Sequence, residues 1–295
     1  MNWRVVRSTW RLMLMLICLL FGLVAALTVM RSLSTAHHRA LVRRWARWTL
    51  LAAGVRVRLS GKTLEPAGLI LANHVSWLDI LVIDSVAPCH FIAKAEIRRW
   101  PLVGFLCAQA GTIFIERGRR HAVHAVIETA RQQLQASDRV AVFAEGTTSD
   151  GTIVLPFHAN LVEAAVRSGC PVQPLALRYE DASGQRSRAI EFIGATTFTQ
   201  SLWRVLGEPG TTAVLVPLEP LGLTVERNRH ALAKAAEIAV RQALFPAFVT
   251  DDSAVARTID LNDPTIAQSH SGEFAAPDTA RVERNELRAI DEAQR

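Results

Sequence analysis

Leu69-Ile70-Leu71-Ala72-Asn73-His74-Val75-Ser76-Trp77-Leu78-Asp79 runs from an apolar stretch into an asparagine–histidine pair, with an aspartate five positions after the histidine. A buried strand that stops at a polar loop and restarts as a helix is where an α/β fold places its chemistry. Ser76 is a favoured N-cap residue, and Asp79 three positions later makes an acidic variant of the capping box. A helix capped at Ser76 holds Asp79 in its first turn and leaves His74 in the loop before it. In one continuous helix, residues five apart point about 140° away from each other. The two side chains therefore meet only if the loop folds back over that turn. Asp79 then takes a hydrogen bond from one imidazole nitrogen and the other stays open as an acceptor, which is how a general base and its orienting partner are arranged. A plain helix cap beside an ordinary loop histidine has the same spacing, so the rest of the chain has to decide.

Outward from this stretch, strand patterns alternate with helical ones. Residues 55–60 alternate with period two and turn at Gly61. Ser60-Gly61-Lys62-Thr63 is no phosphate loop, because Arg56 stands where that motif needs its first glycine. Helical patterns cover 77–86, 100–109 with Pro101 at a tolerated early position, 121–135, 160–168 and 228–244. Strand patterns cover 89–94, 111–117, 139–143, 171–177, 189–193 and 212–216, and Asp150-Gly151 marks a turn. With no internal repeat, the expectation is one α/β domain over 55–249, its mainly parallel or mixed sheet flanked by helices.

The two ends of the chain differ from this body. The last 46 residues, 250–295, hold ten acidic residues and five arginines, have no periodicity and read as a disordered tail. With a net charge of +6 for the whole chain, the body is therefore basic. One tyrosine and no nucleic-acid module signature turn that charge away from nucleic acid and toward an anionic membrane surface. Residues 12–30 are nineteen uncharged, mostly apolar positions, about the length of a bilayer crossing. No cleavage site closes this run, so 1–31 reads as a membrane anchor and not as a signal peptide. Arginines are denser after it, at Arg31, Arg39, Arg43, Arg44 and Arg47, than before it, at Arg4, Arg7 and Arg11. That bias puts the catalytic domain on the cytoplasmic side of the inner membrane. Residues 32–54 mix arginines with Trp45 and Trp48 and read as an interfacial helix. Cys18, Cys89, Cys107 and Cys170 show neither paired nor metal-ligand spacing, which fits reduced thiols in a cytosolic compartment.

Two further strand ends carry chemistry. Phe143-Ala144-Glu145-Gly146-Thr147-Thr148-Ser149 brings a carboxylate, a glycine and hydroxyls to the end of an apolar strand. Glycine lets backbone N–H groups approach a ligand, and hydroxyls bond anionic oxygens. Gly111-Thr112-Ile113-Phe114-Ile115-Glu116-Arg117 delivers an arginine, whose fork suits phosphate.

Together these stretches resemble the glycerolipid acyltransferase superfamily, and within it the lysophosphatidic acid acyltransferases of bacteria. Asn73-His74-x-Ser76-x-x-Asp79 matches the first family block in full. The Gly111–Arg117 block, the Glu145-Gly146-Thr147 centre and the proline-containing 172–177 block follow in the family order. The resemblance implies acyl transfer from an acyl thioester, acyl-CoA or acyl-ACP, to the hydroxyl of a lysophospholipid in a membrane. His74 is then the base and Asp79 its partner, while Arg117, Glu145, Gly146 and Thr147 hold the acceptor. It implies no covalent acyl-enzyme, no metal and no cofactor beyond the acyl co-substrate. The third block departs twice, with Ala144 in place of proline and Thr148 in place of arginine, and Phe157-His158-Ala159-Asn160 replaces a more basic stretch. The expected acceptor is 1-acyl-sn-glycerol-3-phosphate, with lyso-ornithine lipid as the alternative. A membrane-bound lipid hydrolase using Ser76 and His74 is a reading of a different class, but the chain has no Gly-x-Ser-x-Gly elbow.

Overall fold

The structure, a computed structural model, describes residues 3–116, 120–222 and 228–246. Arg117 and the acidic stretch 250–295 lie outside the described residues. The chain begins with helices α1 (Trp3–Thr28) and α2 (Thr35–Ala53), then β1 (Val55–Leu59), β2 (Gly68–Ala72), α3 (Leu78–Asp84) and β3 (His90–Lys94). It continues through α4 (Val103–Gln109), β4 (Ile113–Ile115), α5 (Arg120–Gln135), β5 (Arg139–Phe143) and α6 (Glu163–Ser168). The last elements are β6 (Val172–Asp181), α7 (Phe198–Gly207), β7 (Thr211–Pro217) and α8 (Arg229–Leu244).

The seven strands form one sheet in the order β1-β7-β6-β2-β5-β3-β4. Every neighbouring pair is parallel except β6 and β7, which run antiparallel over Leu175–Asp181 and Thr211–Pro217. β2 is central and buried at all five positions, as an unbroken apolar run in a parallel sheet requires. Its side chains divide by the strand period. Ile70 and Ala72 join Leu78, Val82, Phe91, Val205 and Leu206 on one face. Leu69 and Leu71 join Ile127, Leu134, Val162, Leu232 and Val240 on the other. The first face is covered by α2, α3 and α7, the second by α5, α6 and α8. The mixed α/β expectation therefore holds.

This layering fixes where a site can form. β2 leads through α3 on one face to β3, while β5, its parallel neighbour, leads through α6 on the opposite face to β6. Adjacent strands whose next helices depart to opposite faces leave a crevice at their carboxyl ends. His74 follows β2 and Glu145 follows β5, so both edges of that crevice carry a titratable group.

Helix α1 lies along the domain. Ser8, Gly22, Ala25 and Ala26 are buried, and Leu12 and Met15 pack on the core. Trp45 on α2 sits so close that a Cβ on Gly22 would come within 2.6 Å of its indole nitrogen, which instead donates to the Cys18 carbonyl at 2.8 Å. Arg7 donates to Gly207 O at 2.7 Å, and Arg11 to Leu206 O at 3.1 Å and Glu208 O at 2.5 Å. These guanidinium groups satisfy the orphan carbonyls at the negative end of α7.

Four local expectations change. Residues 189–193 are no strand but a single 3-10 turn, Arg188–Ile190, followed by irregular chain. The Phe192 N–H goes to Val75 O at 3.3 Å, so the segment bonds a loop and not a sheet edge. The strand expected over 111–117 shrinks to Ile113–Ile115 and is only half-buried, because it is the edge of the sheet. The helix expected from residue 100 starts at Val103, with Leu102 before it at φ 60°. α7 was absent from the periodic patterns, although Thr197 and Gln200 form a complete capping box at its start.

Candidate active site

The crevice is built from β2 outward. Asn73 ends the strand and continues its ladder with a side chain, donating to Leu177 O at 2.9 Å and accepting from Leu177 N at 2.8 Å. That clamp ties the loop to β6 and fixes where His74 leaves the sheet. The His74 ring stacks on Phe143, the last residue of β5, with centroids 4.0 Å apart and planes 11° from parallel. Ser149 N donates to His74 O at 2.8 Å, so the third block also grips the loop from the β5 side.

The loop folds back over the first turn of α3. His74 Nδ1 lies 2.7 Å from Asp79 Oδ2, and the same oxygen accepts from Val75 N at 2.8 Å and Ser76 N at 3.0 Å. The other carboxylate oxygen accepts from the Tyr179 hydroxyl at 2.6 Å. Asp79 is fully buried, and these four donors satisfy both of its oxygens. The bond to Asp79 makes Nδ1 the donor of the imidazole. Nε2 makes no hydrogen bond among the described residues, and the side chain keeps 19% of its surface exposed. The acidic capping box expected from the sequence is present: Ser76 Oγ accepts from Leu78 N at 3.4 Å, and Asp79 reaches back to Ser76 N. The helix itself starts at Leu78. Asp79 Oδ2 also takes Val75 N, so one carboxylate holds the whole turn before the helix.

Glu145, Gly146 and Thr147 follow β5 at the other edge. Glu145 is 3% exposed, and neither carboxylate oxygen has a hydrogen-bond partner of good geometry among the described residues. Burial, with Asp79 nearby, pushes its carboxyl up to about 8, against the His74 and Leu155 backbones and the Ser149 side chain. Gly146 turns the chain at φ 69°, and Thr147 is exposed beyond it. Thr148, where the family pattern has arginine, donates its hydroxyl to Phe192 O. Arg186 crosses to the same loop, donating to Asp150 O at 2.6 Å and pairing with Glu191 Oε1 at 2.7 Å. The segment 186–192 is thus a strap tying the His74 loop to the Glu145 loop. His74 and Asp79 meet, Glu145 lies beside them, and Arg117 lies outside the described residues.

Sequence reasoning missed Tyr179. It is the chain's sole tyrosine, in an apolar strand, and its partner lies 100 positions away. It also missed a second histidine–carboxylate pair. His90 opens β3 and its Nε2 lies 3.0 Å from Asp138 Oδ2, at the opposite end of the sheet. Among the described residues no group of three or more His, Cys, Asp or Glu is placed to hold a metal ion.

The family model named Acyltransferase matches residues 55–178, from β1 through most of β6. A lyso-ornithine lipid O-acyltransferase of Pseudomonas aeruginosa is 37% identical over 237 residues, covering 78% of this chain and 90% of that one. The chain belongs to the acyltransferase family. Among other relatives of this acyltransferase, a 1-acyl-sn-glycerol-3-phosphate acyltransferase of Neisseria gonorrhoeae is 35% identical over 190 residues, 64% of this chain and 71% of that one. The crystal structure of the 1-acyl-sn-glycerophosphate acyltransferase PlsC from Thermotoga maritima matches with a TM-score of 0.63 at 21% identity, covering 82% of this chain and 95% of that one. The two share a fold, and the resemblance read from the four sequence blocks is borne out.

Proposed function

We propose that this acyltransferase moves an acyl group from a thioester, acyl-CoA or acyl-ACP, to the free hydroxyl of a lysolipid, with His74 as general base. One observation carries the reading: the imidazole is fixed through Nδ1 to a buried carboxylate, while Nε2 has no partner among the described residues and faces the crevice between β2 and β5. Nε2 takes the hydroxyl proton as the oxygen attacks the thioester carbonyl. The C–S bond then breaks, and the imidazolium returns that proton to the departing thiolate. Asp79 holds the tautomer and stabilises the imidazolium. A positioned base of this kind contributes about 10²–10⁴-fold in rate.

For the acceptor, the site favours the alternative over the first expectation. A phosphate monoester needs cations, yet Thr148 brings none and its hydroxyl is engaged by Phe192 O. Arg186 is already paired with Glu191. The ornithine head group is zwitterionic and asks less of the site, and a relative covered over 90% of its length is named for that acceptor. Lysophosphatidate rests on Arg117 as its one phosphate donor in the four blocks. Purified enzyme with labelled acyl donor and both lysolipids in competition decides. Preference for the ornithine acceptor supports this reading, preference for lysophosphatidate restores the first, and release of free fatty acid without either acceptor refutes transfer altogether.

The membrane reading rests on α1. Trp3, Val6, Trp10, Met13, Ile17, Leu20, Val24 and Leu27 are exposed at alternating spacings of three and four, one apolar stripe along a 26-residue helix. The opposite face is docked on the domain through Arg7, Arg11 and Ser8. A helix held this way along its length lies in the bilayer surface with its stripe in the lipid, the domain remaining on the cytoplasmic side of the inner membrane. Near the crevice, Trp77, Phe198 and Trp100 follow one another edge to face at 5.1 and 5.7 Å. They make an apolar path from the helix that bears Asp79 to the exposed Trp100, fitting for an acyl chain.

A further inference from the structure

Of 295 residues one is a tyrosine, and it touches the carboxylate behind the base. Tyr179 is 3% exposed, its ring packed on the core face that holds Leu177, Ile190 and Val205. Its hydroxyl is the sole donor to Asp79 Oδ1 among the described residues, whereas His74, Val75 and Ser76 all converge on Oδ2. A carboxylate anchored through one oxygen can still swivel, because its terminal torsion is broad. A donor on the second oxygen removes that freedom. It also draws charge off the carboxylate, which sets how strongly Asp79 attracts the imidazolium. Burial, the Asp79 charge and the bond itself hold the phenol well above its ordinary range, so the group stays a donor at any working pH.

We infer that Tyr179 is a positioning residue for acyl transfer: it locks the plane of Asp79 and thereby sets both the orientation and the basicity of His74. The inference rests on His74 being the base, and Tyr179 itself touches neither substrate.

Tyr179→Phe removes the hydroxyl and keeps the ring. The expected result is a kcat lowered about 10- to 100-fold, as for loss of one bond to a charged group, with KM for donor and acceptor within about two-fold. The acid limb of the kcat/KM profile moves to higher pH, because Asp79 then pulls harder on the imidazolium. An unchanged kcat and an unmoved limb would overturn the inference. A separate readout uses the full chain with 3-fluorotyrosine at its sole tyrosine, which gives one fluorine resonance. That resonance should titrate along the acid limb of the wild type and cease to do so in His74→Gln. A resonance blind to pH and to His74→Gln also overturns the inference, even if Tyr179→Phe fails to fold. If wild-type enzyme transfers no acyl group, the proposed function falls, while the fluorine titration still decides whether Tyr179, Asp79 and His74 are coupled.

Discussion

Two histidine–carboxylate pairs stand at opposite ends of the same sheet. His74 meets Asp79 at 2.7 Å beyond the carboxyl end of β2. His90 meets Asp138 at 3.0 Å before the amino ends of β3 and β5. Residue types and distances nearly coincide, and the surroundings do not. His90 has both nitrogens engaged, Nδ1 lying 2.8 Å from Gly111 O. Asp138 is shared with Arg39 of α2 at 2.6 Å. The Asp138 bond raises the His90 pKa against the cost of burial. Burial also works against the Asp138 charge, but His90, Arg39 and the Arg139 N–H outweigh it and hold that carboxyl well below its usual range. A ring that donates from both nitrogens is an imidazolium clamp with no lone pair to offer. His74 has Nδ1 anchored, and its Nε2 has no partner among the described residues. On the proposed function that nitrogen, and not the carboxylate, separates a base from a brace.

The largest expected effect follows from that contrast. His74→Gln should cost about 10²–10⁴-fold in kcat, while His90→Gln leaves kcat within about three-fold once the protein is folded. Steady-state assays of both variants test this, and a His90→Gln loss as deep as that of His74→Gln would erase the distinction. Next, Asp79→Asn should lower kcat about 10- to 100-fold, since an amide neither enforces the tautomer nor stabilises the imidazolium. Asp138→Asn should leave kcat standing and lower the melting temperature.

The brace has its own signature, in stability against pH. The folded pKa of His90 lies above its ordinary 6.5. Its stabilisation is therefore whole below about 6.5 and fades as pH rises through the folded value. Asp138, depressed below its ordinary 3.8, adds stability above that value and loses it as pH falls. The melting temperature of wild type should thus exceed that of His90→Gln by several degrees near pH 6, for about 1.5–3 kcal/mol. The gap should narrow by pH 9. A gap independent of pH would show that packing, not charge, is what His90 contributes.

Two smaller effects sharpen the site end. Thr148→Arg should shift acceptor preference toward lysophosphatidate by a factor of about 10 or more, one charge-assisted bond, read in the competition assay. Trp10→Asp with Ile17→Asp should weaken flotation on anionic vesicles without changing the fold seen by circular dichroism, because both side chains point away from the domain. Unchanged flotation would place membrane contact elsewhere.

The local parts of this molecule were legible in its sequence. β2, β5, β7 and α8 stand within a residue or two of their apolar patterns, since burial on a strand or helix is written in period and composition. The closeness of His74 and Asp79 was legible too, being a matter of one loop and one turn. Tertiary structure decided what those neighbours became. Whether 189–193 paired as a strand depended on Val75 and Thr148 claiming the backbone of Phe192. That Tyr179 reaches Asp79 across 100 positions depended on β6 lying beside β2 in one register, since a slip of one residue would turn the phenol to the opposite face. Equally, nothing in the composition around His90 shows that both of its nitrogens are occupied, because their partners arrive from two other strand ends. Periodicity records which face a side chain turns inward; only the packed sheet determines what it meets there.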